Sequence, residues 1–289
     1  MDRSEEVNLI ERVCAEPVQP VVRCLLRWMS NLLVAALGCS AWASAATAAE
    51  IRLGVNAEVS YKEDEAELRR RYAPFLEELG QLSGHKILFF PVYSDRVEQA
   101  VAERRFDLLL IHTHLALKAA REAQFQVLAF TDDRKNNKVY FFVRSDSAIK
   151  DLPATSACAM GVPGMQSWAT ATARGTFKTM ALPAPRLVAT RYQDAVPIML
   201  EVNEACVGVT RSKGLVDDYV AQKKVRVLHV TQPIPLNALA ASSTLPPAVV
   251  DDIRTAMARM ARSKAFESTA FKGLHFSTDE LARLDTFFK

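Results

Sequence analysis

Polar and apolar positions change rhythm three times between Val92 and Ala120. Val97, Ala100 and Val101 recur at helical spacing among charged residues, which predicts an amphipathic helix over Tyr93–Glu103. Asp107 then opens a short apolar run, Leu108–Ile111, apolar on both faces, as a strand buried in a parallel sheet reads. His112, Thr113 and His114 interrupt it, and a second helix is predicted to about Ala123. A polar loop at the carboxyl end of a parallel strand is where open α/β sheets bind ligands. The pattern therefore predicts that His112–His114 face a ligand.

The same alternation runs through the chain. Ile51–Val55 predicts a strand, followed by a polar loop, Asn56–Asp64, that carries Tyr61. Leu68, Tyr72, Phe75, Leu76 and Leu79 predict a helix closed by Gly80 or Gly84. Lys86–Pro91 and Phe125–Phe130 predict further strands, and right-handed crossovers gather such units into one parallel sheet. DDRKNNK, Asp132–Lys138, reads as a solvated turn, and Val139–Arg144 as a strand. A fresh β-α pattern follows. Strands are predicted at Cys158–Val162, Arg186–Thr190, Cys206–Val209 and Val225–Thr231, and helices at Trp168–Met180, Asp194–Val202 and Leu215–Gln222. Leu236–Ala241 looks extended, Pro246-Pro247 starts a helix with Val250, Ile253, Met257 and Met260 on its apolar face, and Ser277–Glu280 is a capping box opening a last one.

Before Glu50 the composition differs. Arg23 and Arg27 precede an apolar stretch, Trp28–Trp42, that ends in small residues. That is the layout of a secretory signal, with cleavage expected after Ala48. Leu37-Gly38-Cys39 is a rival lipobox, but Leu37 is bulky for its place. Export would put the protein in the periplasm. The 36 basic and 33 acidic residues form no basic block, which argues against nucleic acid as a partner. No cysteine and histidine spacing suggests a metal site.

The order of elements is recognisable. It resembles the phosphate/phosphite/phosphonate-binding family of periplasmic solute-binding proteins of ABC importers, across Ile51–Phe288. The carriers are YSDRVEQAVAERRFDLLLI, YFFVRSDSAIKDL, PGMQS, VATRYQDAV, VGVTRS and TQPIPLNALAASSTLP. The resemblance implies an α/β, two-lobe (type II) architecture with a mainly parallel sheet in each lobe. Crossing strands would lie near Val139–Arg144 and Val230–Pro235. The domains would be a leader at 1–48, lobe one at 49–142 and 233–289, and lobe two at 143–232. It also implies a monomer without cofactor or catalysis, delivering a small anionic ligand to an inner-membrane ABC permease. A sensing partner of a membrane receptor is the alternative.

The chain departs from that family's pattern where a ligand would sit. The turn before the first lobe-two helix keeps one hydroxyl, Ser167, beside Gln166. Tyr192 stands where the family has a histidine, and His112-Thr113-His114 replaces a Gly-Pro loop. Candidate ligand contacts are therefore Tyr61, His112, Thr113, His114, Gln166, Ser167, Trp168, Arg191, Tyr192 and Arg211. Arg191 and Arg211 each follow a predicted strand, where a planar guanidinium can clamp an oxyanion. Cys158 and Cys206 each begin a strand of the second pattern, and the two strands should be neighbours in a doubly wound sheet. A disulfide and a pair of buried thiols are both compatible with that placement. Neither cysteine lies on a nucleophile elbow, which argues against a hydrolase.

Overall fold

The strands collect into two separate sheets. The structure, a computed structural model, describes residues 48–57, 64–93, 96–122, 124–261 and 263–289. Residues 1–47 of the expected leader, 1–48, and Tyr61 lie outside the described residues. The first sheet holds β1 (Glu50–Ala57), β2 (Lys86–Tyr93), β3 (Leu108–His112), β4 (Phe125–Asp133), β10 (Asn237–Ser242) and β11 (Phe271–His275), in the order β11-β4-β10-β3-β1-β2. The second holds β5 (Tyr140–Arg144), β6 (Ala159–Pro163), β7 (Arg186–Thr190), β8 (Val207–Thr210) and β9 (Val225–Val230), in the order β7-β6-β8-β5-β9.

The βα units pair in parallel, as the alternation predicts: β1 with β2 and β3, and β6 with β7 and β8. β10 and the edge strand β11 run against them in the first sheet, and β5 does so in the second. β10 inserts antiparallel between β3 and β4, and β5 inserts antiparallel between β8 and β9. Each follows a passage from the other sheet, so neither needs the helical crossover that a parallel neighbour requires. This is the mixed α/β, two-lobe architecture.

The passages run through 134–139 and 231–236. They are tied side by side: Thr231 N donates to Val139 O at 3.0 Å, Val139 N to Thr231 Oγ1 at 2.9 Å, and Ile234 N to Asn137 O at 3.1 Å. The family resemblance implies a first crossing near Val139–Arg144, whereas β5 lies wholly in the second sheet. The turn Arg134–Lys138 is the connection itself.

Helix α1 (Glu65–Ser83) starts where Asp64 accepts from Glu67 N at 2.7 Å and stops at Gly84, whose φ of 74° favours a residue without Cβ. It buries Leu68, Tyr72, Phe75 and Leu79 on one face of the first sheet, beside α7 (Pro247–Arg259), which buries Val250, Ile253 and Met257. The other face takes α3 (Thr113–Arg121), which buries Leu115, Ala116, Leu117 and Ala119. The last helix, α8 (Thr278–Phe288), carries the expected Ser277 cap, accepting from Glu280 N. It touches a helix from each sheet. Arg121 of α3 pairs with Asp285 at 2.7 Å, and Lys178 of α4 (Trp168–Thr179) donates to Thr286 O at 3.0 Å.

Three elements differ from expectation. Tyr93 ends β2, and helix α2 covers only Val97–Ala102. β11 has no counterpart in the polarity pattern, because Lys272 and Gly273 break its apolar run. His112–His114 form no loop: β3 ends at His112 and α3 begins at Thr113.

The second sheet is packed tightly around one glycine. A Cβ on Gly208 would lie 2.4 Å from Phe142 Cζ, and Phe142 is fully buried. Gly208→Ala is expected to cost about 1–3 kcal/mol through overpacking, read as a lower urea midpoint. An unchanged midpoint would mean that the ring moves aside freely.

Candidate functional site

Carboxyl ends of strands from both sheets meet around a cavity of about 710 Å³. The first sheet contributes Asn56 at the end of β1, His112 at the end of β3, and Leu115 of α3. The second sheet contributes three short connections. After β6 comes Pro163–Ser167, leading into Trp168 of α4; after β7 come Arg191–Asp194; after β8 come Arg211 and Ser212.

Each connection is held by its own hydrogen bonds. Gly164 takes a φ of 85°, and Ser167 N donates back to Gly164 O at 3.2 Å. Thr170 gives its hydroxyl proton to Gly164 O at 2.6 Å, so the Ser167 hydroxyl donates to Thr170 Oγ1 at 2.9 Å. Ser167 Oγ also accepts from Thr170 N at 3.1 Å. The hydroxyl is thus engaged in capping α4. Ser212 caps α6 (Lys213–Ala221) in the same way, accepting from Leu215 N. Gln193 joins two connections: its Oε1 accepts from Thr210 Oγ1 at 2.8 Å and from Arg211 N at 3.3 Å.

The N-termini of α4, of α6 and of the 3-10 turn Gln193–Ala195 leading into α5 (Val196–Glu201) therefore lie at one cavity. Helix N-termini carry N–H groups without intrahelical acceptors and a partial positive charge. Arg191 and Arg211 add formal charge, and the Arg191 guanidinium sits 5.5 Å above the Tyr192 ring. Among the described residues, Asp194 is the one carboxylate in the lining.

His112 is buried and locked. Its Nδ1 donates to Asn237 Oδ1 at 3.0 Å, which leaves Nε2 to accept from Asn56 Nδ2 at 3.1 Å. It bridges the carboxyl ends of β1, β3 and the start of β10. Thr113 does not line the cavity: its hydroxyl donates to Pro235 O at 2.7 Å and its N–H to Leu236 O at 3.0 Å. His114 lines a neighbouring cavity of about 310 Å³, where Nε2 donates to Gln166 O at 3.1 Å. Gln166 Nε2 in turn donates to Glu98. Trp168 forms the cavity floor, 1 % exposed, and its Nε1–H has no acceptor among the described residues.

Seven expected residues thus meet at one cavity: His112, Gln166, Ser167, Trp168, Arg191, Tyr192 and Arg211. The sequence reading missed Asn56, Gln193 and Ser212. Asn56 follows the same strand-end rule that singled out His112, and Ser212 is a legible cap. Nothing in the sequence marks Gln193, whose role depends on a contact with another strand. Among the described residues there is no cluster of three metal-ligating side chains.

The sequence profile described as "ABC transporter, phosphonate, periplasmic substrate-binding protein" matches residues 59–282. The chain belongs to this family. It is a solute-binding component of an ABC transporter, with a small-molecule ligand and a permease as its partners. Solved structures share the fold of this phosphonate-binding family member at low identity. XAC2383 from Xanthomonas citri, bound to ATP, is 14% identical with a TM-score of 0.65, covering 83% of this chain and 96% of that one. PhnD1 from Prochlorococcus marinus, in complex with methylphosphonate, is 10% identical with a TM-score of 0.57, covering 82% and 96%. A binding protein component of an ABC phosphonate transporter from Pseudomonas aeruginosa, PA3383, is 16% identical with a TM-score of 0.56, covering 83% and 85%. No curated protein matches in sequence.

Proposed function

We propose that the 710 Å³ cavity holds a small phosphorus oxyanion, a phosphonate or phosphate, between two lobes. The lobes are built on the two sheets, 48–133 with 237–289 and 140–230. The observation that carries the ligand class is the convergence of three helical N-termini with Arg191 and Arg211. Such a site favours an anion through unpaired N–H groups and the local dipole, without requiring any chemistry. The Trp168 indole N–H adds a donor that a ligand oxygen would satisfy, which matters because an unmet buried donor is costly. The ATP and methylphosphonate named for the two relatives above are both phosphorus oxyanions. His112 orders the first-sheet side of the cavity, while Gln166, Ser167, Tyr192 and Arg211 shape the other. Tyr61, five residues after Asn56 in the chain, is proposed to cover the ligand. The protein acts as a monomer in the periplasm, exported by the segment before Ala48, and needs neither cofactor nor catalytic group.

Calorimetric titration with phosphate, methylphosphonate, a sulfonate and a carboxylate tests this reading. Binding is expected for the phosphorus oxyanions. Arg191→Ala is expected to weaken it about tenfold, about 1.4 kcal/mol, through loss of a charged hydrogen bond. Heatless titrations with every compound, on folded protein, would overturn the ligand class. An unchanged Kd in the variant would remove Arg191 from the site.

A further inference from the structure

A second cavity, about 670 Å³, lies beside the first, and Gln193, Arg211 and Ser212 line both. Its outer wall is the passage Lys135–Lys138 between the sheets, and its inner wall is the first turn of α6. The lining contains Lys135, Lys138, Arg211 and Lys213 and, among the described residues, no carboxylate. Basic and acidic residues are nearly balanced in the chain, 36 to 33, so composition does not account for this imbalance. Lys213 pairs with Asp217 on its own helix at 2.5 Å. Lys135 and Lys138 make no ion pair among the described residues.

The backbone supports the same sign. Leu215 N and Val216 N are satisfied by Ser212, through Oγ and O respectively. The N–H groups of Lys213 and Gly214 precede them and have no intrahelical acceptor. A Cβ on Gly214 would meet nothing within 4 Å, so the helix start is open on that side. Like charges gathered around an open cavity repel one another, and an anion placed among them relieves that repulsion.

We propose that this second cavity is an anion subsite continuous with the first. The cleft then takes a molecule with two phosphoryl or phosphonyl groups joined by a short link, one group in each cavity. The main cavity holds the first group at the N-termini of α4 and the Gln193–Ala195 turn. Lys135 and Lys138 hold the second, and Arg211 stands between. This inference rests on the oxyanion reading of the main cavity and extends it to the size and charge of the ligand.

Methylphosphonate and pyrophosphate serve as one-group and two-group probes, titrated calorimetrically against the full chain and Lys135→Gln/Lys138→Gln. Pyrophosphate is expected to bind at least tenfold tighter than methylphosphonate. The double substitution is expected to erase that advantage and to leave the methylphosphonate Kd within about twofold. The same loss of two charges at Lys86 and Lys150, which line neither cavity, is expected to leave the advantage intact. The second subsite is overturned if pyrophosphate binds no tighter than methylphosphonate. It is also overturned if Lys135→Gln/Lys138→Gln weakens both probes alike or neither, or if Lys86→Gln/Lys150→Gln erases the advantage equally. Each of those results leaves methylphosphonate binding, and hence the main cavity, standing. Absence of binding by both probes would overturn the main cavity and the subsite together.

Discussion

Replacing Cys158 and Cys206 together by alanine is expected to lower stability by roughly 4 kcal/mol. The disulfide joins residues 48 apart in sequence, with Cα atoms 6.0 Å apart. It ties the chain just before β6 to the chain just before β8, the two central parallel neighbours of the second sheet. A crosslink of that span removes loop-closure entropy from the unfolded chain, and the quoted magnitude follows from the loop length. The bond sits at the amino ends of both strands, while the cavity sits at their carboxyl ends. Ligand affinity of the double variant is therefore expected to survive well below its unfolding midpoint. Urea unfolding of oxidised and variant protein measures the difference. A loss below about 1 kcal/mol, outside the usual range for a native disulfide, would show that the unfolded chain is not restrained in this way.

That bond also shows what a polarity pattern can and cannot reach. The neighbouring of the two strands was legible, because a doubly wound order puts the first and third strands side by side. The pairing was not, since parallel neighbours in register rarely aim their side chains at one another. The thiols precede the strands, in the connections after Ser156 and Glu204, where the chain is free of the pleat. The βα units were legible for a similar reason: burial on both faces imposes continuous apolar runs. Inserted strands β5 and β10 were readable as strands, but their antiparallel direction depends on where the chain arrives from, and no local pattern encodes that.

The site divides in the same way. Arg191, Arg211 and Ser167, singled out by their position after strands, line the cavity. His112 was found by the same rule, but its side chain is used to bridge Asn56 and Asn237. Thr113 lies outside this cavity's lining because β3 passes into α3 without a loop, which turns its hydroxyl onto Pro235. The turn Asp132–Lys138 reads as solvated from its composition. In the structure Asp132 and Asp133 end β4, while Arg134–Lys138 is the connection between sheets and Lys135–Lys138 one wall of a basic cavity, a role set by the topology alone.

Acidification from pH 8 to pH 5 is expected to cost roughly 2 kcal/mol of stability through His114 alone. Burial first, and then the neighbouring His112, Arg174 and Lys118, together lower its pKa from 6.5 to about 3. The hydrogen bond to Gln166 O acts the other way and does not compensate. Protonation would place a proton on Nδ1, which is buried and has no partner among the described residues. In the unfolded chain the same ring charges at its ordinary pKa of 6.5. The unfolded state therefore binds the extra proton first as pH falls. The stability contributed by the neutral ring is complete above 6.5 and is lost progressively down to about 3. Asp133 works in the opposite direction, because burial raises its carboxyl pKa and its charging disfavours the fold as pH rises. The informative quantity is thus a difference between proteins. Urea midpoints of the native chain and His114→Gln are compared at pH 8 and pH 5. The native chain is expected to lose about 2 kcal/mol more than the variant over that interval. Parallel losses in the two proteins would show that His114 is charged or exposed in the folded state, and with it the contact to Gln166 between the two sheets' helices would lose its place in the site.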